Sequence, residues 1–156
     1  AHGHPLTIVT KSALVLRDLA EIGHFARVDN QAFRIVRRVT PGAYTFLLPA
    51  TKEVPRRLQH PKRSTVGVRV PNNAVVRALL AELGEPILSS TLILPDETEP
   101  VHDVEAIREA IGEALDLVID AGPCPAEPTT VVDLAATPPV IVRRGGGDPE
   151  LLGIEE

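Results

Sequence analysis

The chain has 156 residues, 44% of them hydrophobic but only 3% aromatic, and a formal net charge of -5. This is enough for one domain with a real core, which Val, Leu, Ile and Ala must fill. The composition argues against a base-stacking surface. The lone Cys124 excludes an intrachain disulfide and a cysteine-based metal site, and no apolar run approaches the roughly 18 residues of a membrane span.

The charge is unevenly placed. Between Arg27 and Arg77, eleven Lys/Arg stand against two acids, Asp29 and Glu53; from Ala78 onward, three Lys/Arg stand against seventeen acids. A basic half suits phosphate or nucleic acid as a partner. Solvated faces that neutralise each other in the fold would read the same way. No signal peptide is read, no membrane partner is expected, and a cytoplasmic location is. The chain begins at Ala1 and contains no Met, so a native start is expected to be missing.

In chain order, residues 1–5 (AHGHP) form an opening loop, and Leu6 to Val9 a strand. Ser12 is placed to cap a helix reaching about Ile22, with Gly23 as its stop. Asp29 or Asn30 opens a second helix to about Val39, with Ala32, Phe33 and Val36 inward and Arg34, Arg37 and Arg38 outward. Thr40-Pro41-Gly42 is a turn. Ala43 to Leu48 is a strand, and Lys52 to Leu58 a connector carrying Arg56 and Arg57. Lys62 and Arg63 lead into a strand from Thr65 to Val70. Asn72 or Asn73 caps a helix over 74–83, ended by Gly84. Ile87 to Leu94 reads as a buried strand with Ser89, Ser90 and Thr91 inside it. Asp103 caps a helix to about Leu115, and Leu117 to Ile119 is a strand. Thr129 to Leu134 and Val140 to Arg143 are two further strands. Gly145 to Gly147 breaks the structure with no helix after it, and residues 149–156 read as a loose tail. Strands alternating with helices and ending on two adjacent strands give an α/β or mixed α+β fold in a single domain.

No phosphate-binding GxxxxGK[ST] or GxGxxG stretch is present, and no catalytic Ser/His/Asp set assembles from spacing. What remains are polar groups at strand ends. Arg69 closes one strand and Arg143 another. Thr129 and Thr130 open a strand, and Ser89 and Thr91 need partners inside an apolar one. Two arginines with hydroxyls suit a phosphate or carboxylate; equally, the arginines could pair with acids and the hydroxyls with backbone.

The stretches PGAYTFLLPATKEVPRRL (41–58), STVGVRVPNN (64–73), GEPILSSTLILP (84–95), EPTTVVDL (127–134) and VIVRRGGGD (140–148) resemble the YrdC/YciO family, most closely its YciO branch. The resemblance implies a twisted mixed sheet with helices on its faces and a concave basic cleft. It implies a domain over 1–148 that lacks the family's N-terminal strand and helix, followed by a tail at 149–156. Full-activity members are similar to threonylcarbamoyl-AMP synthases, which use ATP, bicarbonate and L-threonine and serve tRNA modification. By resemblance, Arg69 and Arg143 face the nucleotide, Thr129 and Thr130 lie near substrate, and His4 sits in a substrate-side loop.

Three departures accompany the likeness. The Pro-Thr-acid-Thr strand and the Lys-x-Arg motif have no counterpart here, and Thr91-Leu92-Ile93 replaces Ser-Ala-Asn. Leucine and isoleucine cannot coordinate Mg²⁺. The expectation is therefore a protein that binds nucleotide or RNA, with at most weak ATP- and Mg²⁺-dependent synthase chemistry. The alternative is a non-catalytic module for double-stranded RNA or tRNA. Its phosphate contacts would come from Arg34, Arg37, Arg38, Lys52, Arg56, Arg57, Lys62 and Arg63.

Overall fold

The computed structural model describes residues 13–60, 62–94, 97–122 and 127–154. These fall into two compact units. The larger holds the described residues up to Ser89 and from Glu127 onward; the smaller holds those between 90 and 122. The expected strand at Leu6 to Val9 lies outside the described residues.

The larger unit is built on a six-stranded mixed sheet. Its strands are β1 (Ala13–Val15), β2 (Tyr44–Pro49), β3 (Thr65–Arg69), β4 (Ile87–Ser89), β5 (Thr130–Asp133) and β6 (Val140–Arg143), in the spatial order β4-β1-β3-β2-β5-β6. The same unit carries the helices α1 (Leu19–Phe25), α2 (Asn30–Val39) and α3 (Ala74–Leu83). β1 and β3 are parallel, as are β2 and β5, while β3/β2, β5/β6 and β1/β4 are antiparallel.

Cross-strand register sorts the side chains into two faces. Leu14, Val68, Phe46, Val132 and Ile141 form one row across five strands. This row faces the core, with Phe46, Val68 and Val132 fully buried beside Ile22, Val36 and Leu152. The next row is Val15, Arg69, Val131 and Arg143, with Thr45 one residue on from the Phe46–Val68 pair. It occupies the opposite face.

Several expectations are corrected. Ala13–Val15 is a buried strand rather than a helix, because Ala-Leu-Val finds hydrogen-bonding partners on both sides, in β3 and β4. The helix begins only at Leu19. Asp18 caps it by accepting from the Ala20 and Glu21 amides, and Glu21 reaches back to the Arg17 amide. Gly23 lies inside that helix, which ends at Phe25. In α2, Ile35 faces inward and Phe33 is exposed. Only Ile87–Ser89 of the expected long strand is paired, at the sheet edge, with Leu88 half exposed. The C-terminal stretch is not loose: Asp148 caps a 3-10 turn at Pro149–Leu152, and Leu152 is buried in the core.

The smaller unit contains α4 (Val104–Ile111), capped by Asp103, and a 3-10 turn at Gly112–Ala114. The expected strand at Leu117 to Ile119 is corrected too. Those residues take no strand pairing, and Leu117 and Ile119 are exposed.

Candidate functional site

One end of the sheet collects the carboxyl ends of β3 and β6 and the amino ends of β2 and β5. Antiparallel pairing alone therefore brings Arg69, Thr45, Thr129 and Arg143 to one edge. Arg69 and Arg143 stand three strands apart in one row, about 14 Å between backbones at the usual strand spacing. Thr45 and Val131 lie between them in the same row.

A β-bulge aims Arg143. Val131 pairs with Arg143, but the next residue, Val132, pairs with Ile141. Val142 is the extra residue. Strict alternation would put Ile141 and Arg143 on the same face. The bulge lets Ile141 pack on the core while Arg143 turns to the face of Arg69.

The two arginines are held differently. The Arg143 Nε and Nη2 both donate to the Thr129 carbonyl, at 3.2 and 2.8 Å, which fixes the guanidinium plane. Nη2 also lies 3.4 Å from the Thr129 hydroxyl, which is paired at 2.8 Å with that of Thr45. Arg69 has no such partner: its Nε is buried and unbonded among the described residues. Burial first, and then the nearby charge of Arg143, pull its guanidinium below the usual arginine range. A cation that is partly desolvated, unpaired among the described residues and repelled by a second cation is chemically suited to an anionic ligand. A phosphate between the two would meet the orphaned donor and relieve the repulsion.

Beside this edge runs the glycine stretch after β6. Thr130 is fully buried; its hydroxyl accepts from the Gly145 amide at 3.0 Å and donates to the Gly147 carbonyl at 2.5 Å. The Gly146 amide donates to the Pro128 carbonyl, and the Tyr44 hydroxyl to that of Asp148. A Cβ at Gly147 would lie 2.5 Å from the Tyr44 ring, and one at Gly145 would collide with the Pro128 carbonyl oxygen. The 3-10 turn follows directly, so a short helical segment does come after the glycines.

The remaining expected residues lie elsewhere. His4 is outside the described residues. Ser89 pairs with Ala13, at the far end of β1 from Val15 and Arg69, and its hydroxyl donates to the Ala13 carbonyl. Thr91 is exposed and belongs to the smaller unit. Arg34, Arg37 and Arg38 lie on the exposed side of α2, where Arg34 donates to the Asn30 carbonyl and Arg38 to that of Leu151.

Lys52, Arg56, Arg57, Lys62 and Arg63 are on the loop between β2 and β3, at the opposite end of the sheet from Arg69. Buried Val54, the Gln59 bond to the Val54 carbonyl and backbone bonds from Ala50 to Ser64 and His60 to Thr65 pin this loop. Arg63 pairs with buried Asp133 at 2.8 Å; the other four cations make no ion pair with a described residue. Thr45 and the Val142 bulge are site features that the sequence does not announce. A threonine two places into a strand looks like ordinary β-propensity.

Residues 3–145 match the model of the Sua5_yciO_yrdC family, described as "Telomere recombination". The chain belongs to the Sua5/YciO/YrdC family. It is 51% identical over 135 residues to an uncharacterized protein of Haemophilus influenzae, covering 86% of this chain and 65% of that one. Against YciO of Escherichia coli K12 the identity is 49%, covering 86% and 66%. The chain thus spans just under two thirds of the length of these relatives. The crystal structure of E. coli YciO superposes with a TM-score of 0.84, over 90% of this chain and 68% of that one. A threonylcarbamoyl-AMP synthase of Pyrococcus abyssi is 28% identical over 144 residues, 92% of this chain and 40% of that one. Sua5 of P. abyssi, in a crystal structure with L-threonine, shares the fold at a TM-score of 0.76 and 24% identity, over 87% and 41% of the two chains.

Proposed function

We propose that this chain is the nucleotide-binding part of a YciO-type protein, and that Arg69 and Arg143 receive the phosphates of ATP. The observation that carries this is the buried, unbonded Nε of Arg69 facing the charge of a second, fixed arginine. Mg²⁺ would arrive on the nucleotide, because no three carboxylate or imidazole groups converge among the described residues. The Thr45–Thr129 hydroxyl pair lies at the same sheet edge and suits a small polar co-substrate. Relatives named threonylcarbamoyl-AMP synthase support a slow reaction of that type. A carboxylate oxygen of the threonine carbamate, formed from L-threonine and bicarbonate, would attack the α-phosphorus of ATP. The bond to the bridging oxygen breaks and pyrophosphate leaves with the negative charge. The protein's part is orientation and stabilisation of charge by the two guanidiniums.

The test is to incubate the protein with ATP, Mg²⁺, L-threonine and bicarbonate and follow pyrophosphate. Release that depends on threonine supports the synthase reading. ATP binding without release leaves a nucleotide-binding protein, and absence of ATP binding overturns both.

A second reading rests on a separate observation: four exposed cations on the pinned loop between β2 and β3 that make no ion pair with a described residue. They suit the phosphates of structured RNA, a tRNA or a duplex, read by shape rather than stacking. The prediction is steep salt dependence. Replacing Lys52, Arg56, Arg57 and Lys62 together by Ala should flatten the log–log salt slope by about 3 units. A slope that stays the same removes this reading.

A further inference from the structure

The pair Thr129-Thr130 opens β5, and from sequence either hydroxyl could meet a ligand. We infer that Thr130 is a positioning residue: its hydroxyl clamps the glycine turn after β6 and so holds Arg143 in the anion site. The one proton of that hydroxyl is spent on the Gly147 carbonyl, and one of its lone pairs accepts from the Gly145 amide. At 0% exposure it offers nothing to a ligand. It also points to the core side. Thr130 shares a row with Tyr44, while Thr129 lies on the face of Val131 and Arg143.

The clamp acts two residues from Arg143, on the far side of the Val142 bulge. A bulged edge strand has fewer ladder bonds to fix it. After Arg144 come three glycines in a row, which resist disorder poorly by themselves. Gly145 and Gly147 are required, because a Cβ at either would strike Pro128 or Tyr44. Rigidity must therefore come from outside the segment. Thr130 supplies it at 145 and 147, Pro128 at 146 and Tyr44 at 148. With the turn fixed, the Arg143 guanidinium sits on the Thr129 carbonyl, aimed at Arg69. Thr129 and Thr130 then divide the work: one backs the arginine, the other locks the turn behind it.

The test pairs Thr130→Ser with Thr130→Val and reads two quantities on the full chain: amide hydrogen exchange at 145–147 and affinity for inorganic pyrophosphate. Ser keeps both hydrogen bonds, so exchange and affinity should stay within about twofold of the parent. Val keeps the volume and loses both bonds; Gly145 exchange should accelerate by about tenfold or more and pyrophosphate affinity fall about 5- to 10-fold. If Val weakens binding with Gly145 exchange unchanged, Thr130 is a ligand contact and the inference fails. If Val changes neither quantity, the clamp does not exist. Should the Val variant not fold, the parent alone decides: Gly145 and Gly146 amides must be protected like those of β5, and rapid exchange overturns the inference. The affinity arm rests on the reading of Arg69 and Arg143 as an anion site. The exchange arm does not, so a parent that ignores pyrophosphate but protects Gly145 refutes that reading and keeps the clamp.

Discussion

Replacing Arg69 by Met should make the free protein more stable and the ligand-bound protein less so. Met keeps an unbranched apolar stem of similar length and removes the charge. What is lost is an Nε that is buried without a partner and a guanidinium repelled by Arg143. A buried unsatisfied donor costs about 1–3 kcal/mol. The side chain is only partly buried, so the lower figure applies, about 1 kcal/mol of stabilisation. For a chain of this size that is a rise in Tm of about 2–4 °C. Pyrophosphate then reverses the order. At 100 times its Kd it stabilises the parent by about 2.7 kcal/mol. The variant, having lost about 1.5–3 kcal/mol of charge-assisted binding, gains only about 0.3–1.3 kcal/mol at the same concentration. Thermal unfolding of both proteins, with and without pyrophosphate at pH 7.5, measures all four quantities. A variant that melts below the parent without ligand would show that Arg69 holds the fold together. Equal gains from pyrophosphate in both proteins would remove Arg69 from the site.

Other outcomes follow from the same geometry. Deleting Val142 should turn β6 into a regular strand in which Ile141 still pairs with Val132 and Arg143 with Val131, so pyrophosphate affinity should stay within about threefold of the parent; a loss of about tenfold or more would show that the bulge does more than set the face of Arg143. Asp133→Ala should cost about 2–4 kcal/mol in urea unfolding, since the Ala135 and Ala136 amides and Arg63 all lose their acceptor. Arg63→Ala should cost no more than about 1 kcal/mol, because Arg63 is largely exposed. Burial, then the charge of Asp148, raise the pKa of Tyr44 above its ordinary value of 10.0. Its contribution to stability is therefore complete below about pH 10 and lost as pH climbs through the folded value. Tyr44→Phe should remove that alkaline decline and cost about 1 kcal/mol at neutral pH; an unchanged alkaline decline would exclude Tyr44 as its source.

The sequence carried much of this architecture. α2, α3 and the strands β2, β3, β5 and β6 were legible because caps and turns bound them: Asp29, Asn73 and Gly84 act as read. β1 was not. Its short apolar run fits a helical stripe as well as a strand, and only pairing on both edges decides between them. The burial of Leu152 is not legible, because a short apolar stretch after three glycines gives no periodic signal. At the site, the two arginines stood out as cations ending strands. The bulge at Val142 did not, since a register shift exists only in the pairing of two strands. Nor could sequence divide Thr129 from Thr130, whose roles separate only once the glycine turn folds back on the sheet.

The most direct measurement is a ¹⁵N NMR titration of the arginine Nε–Hε signals with pyrophosphate, assigned by single Arg→Lys variants. The Arg69 and Arg143 signals should move together along one saturation curve, with the Arg69 proton becoming protected as its missing acceptor arrives. If both stay fixed while signals from Arg56 and Arg57 shift, the anion binds at the loop between β2 and β3, and the sheet-edge site is refuted.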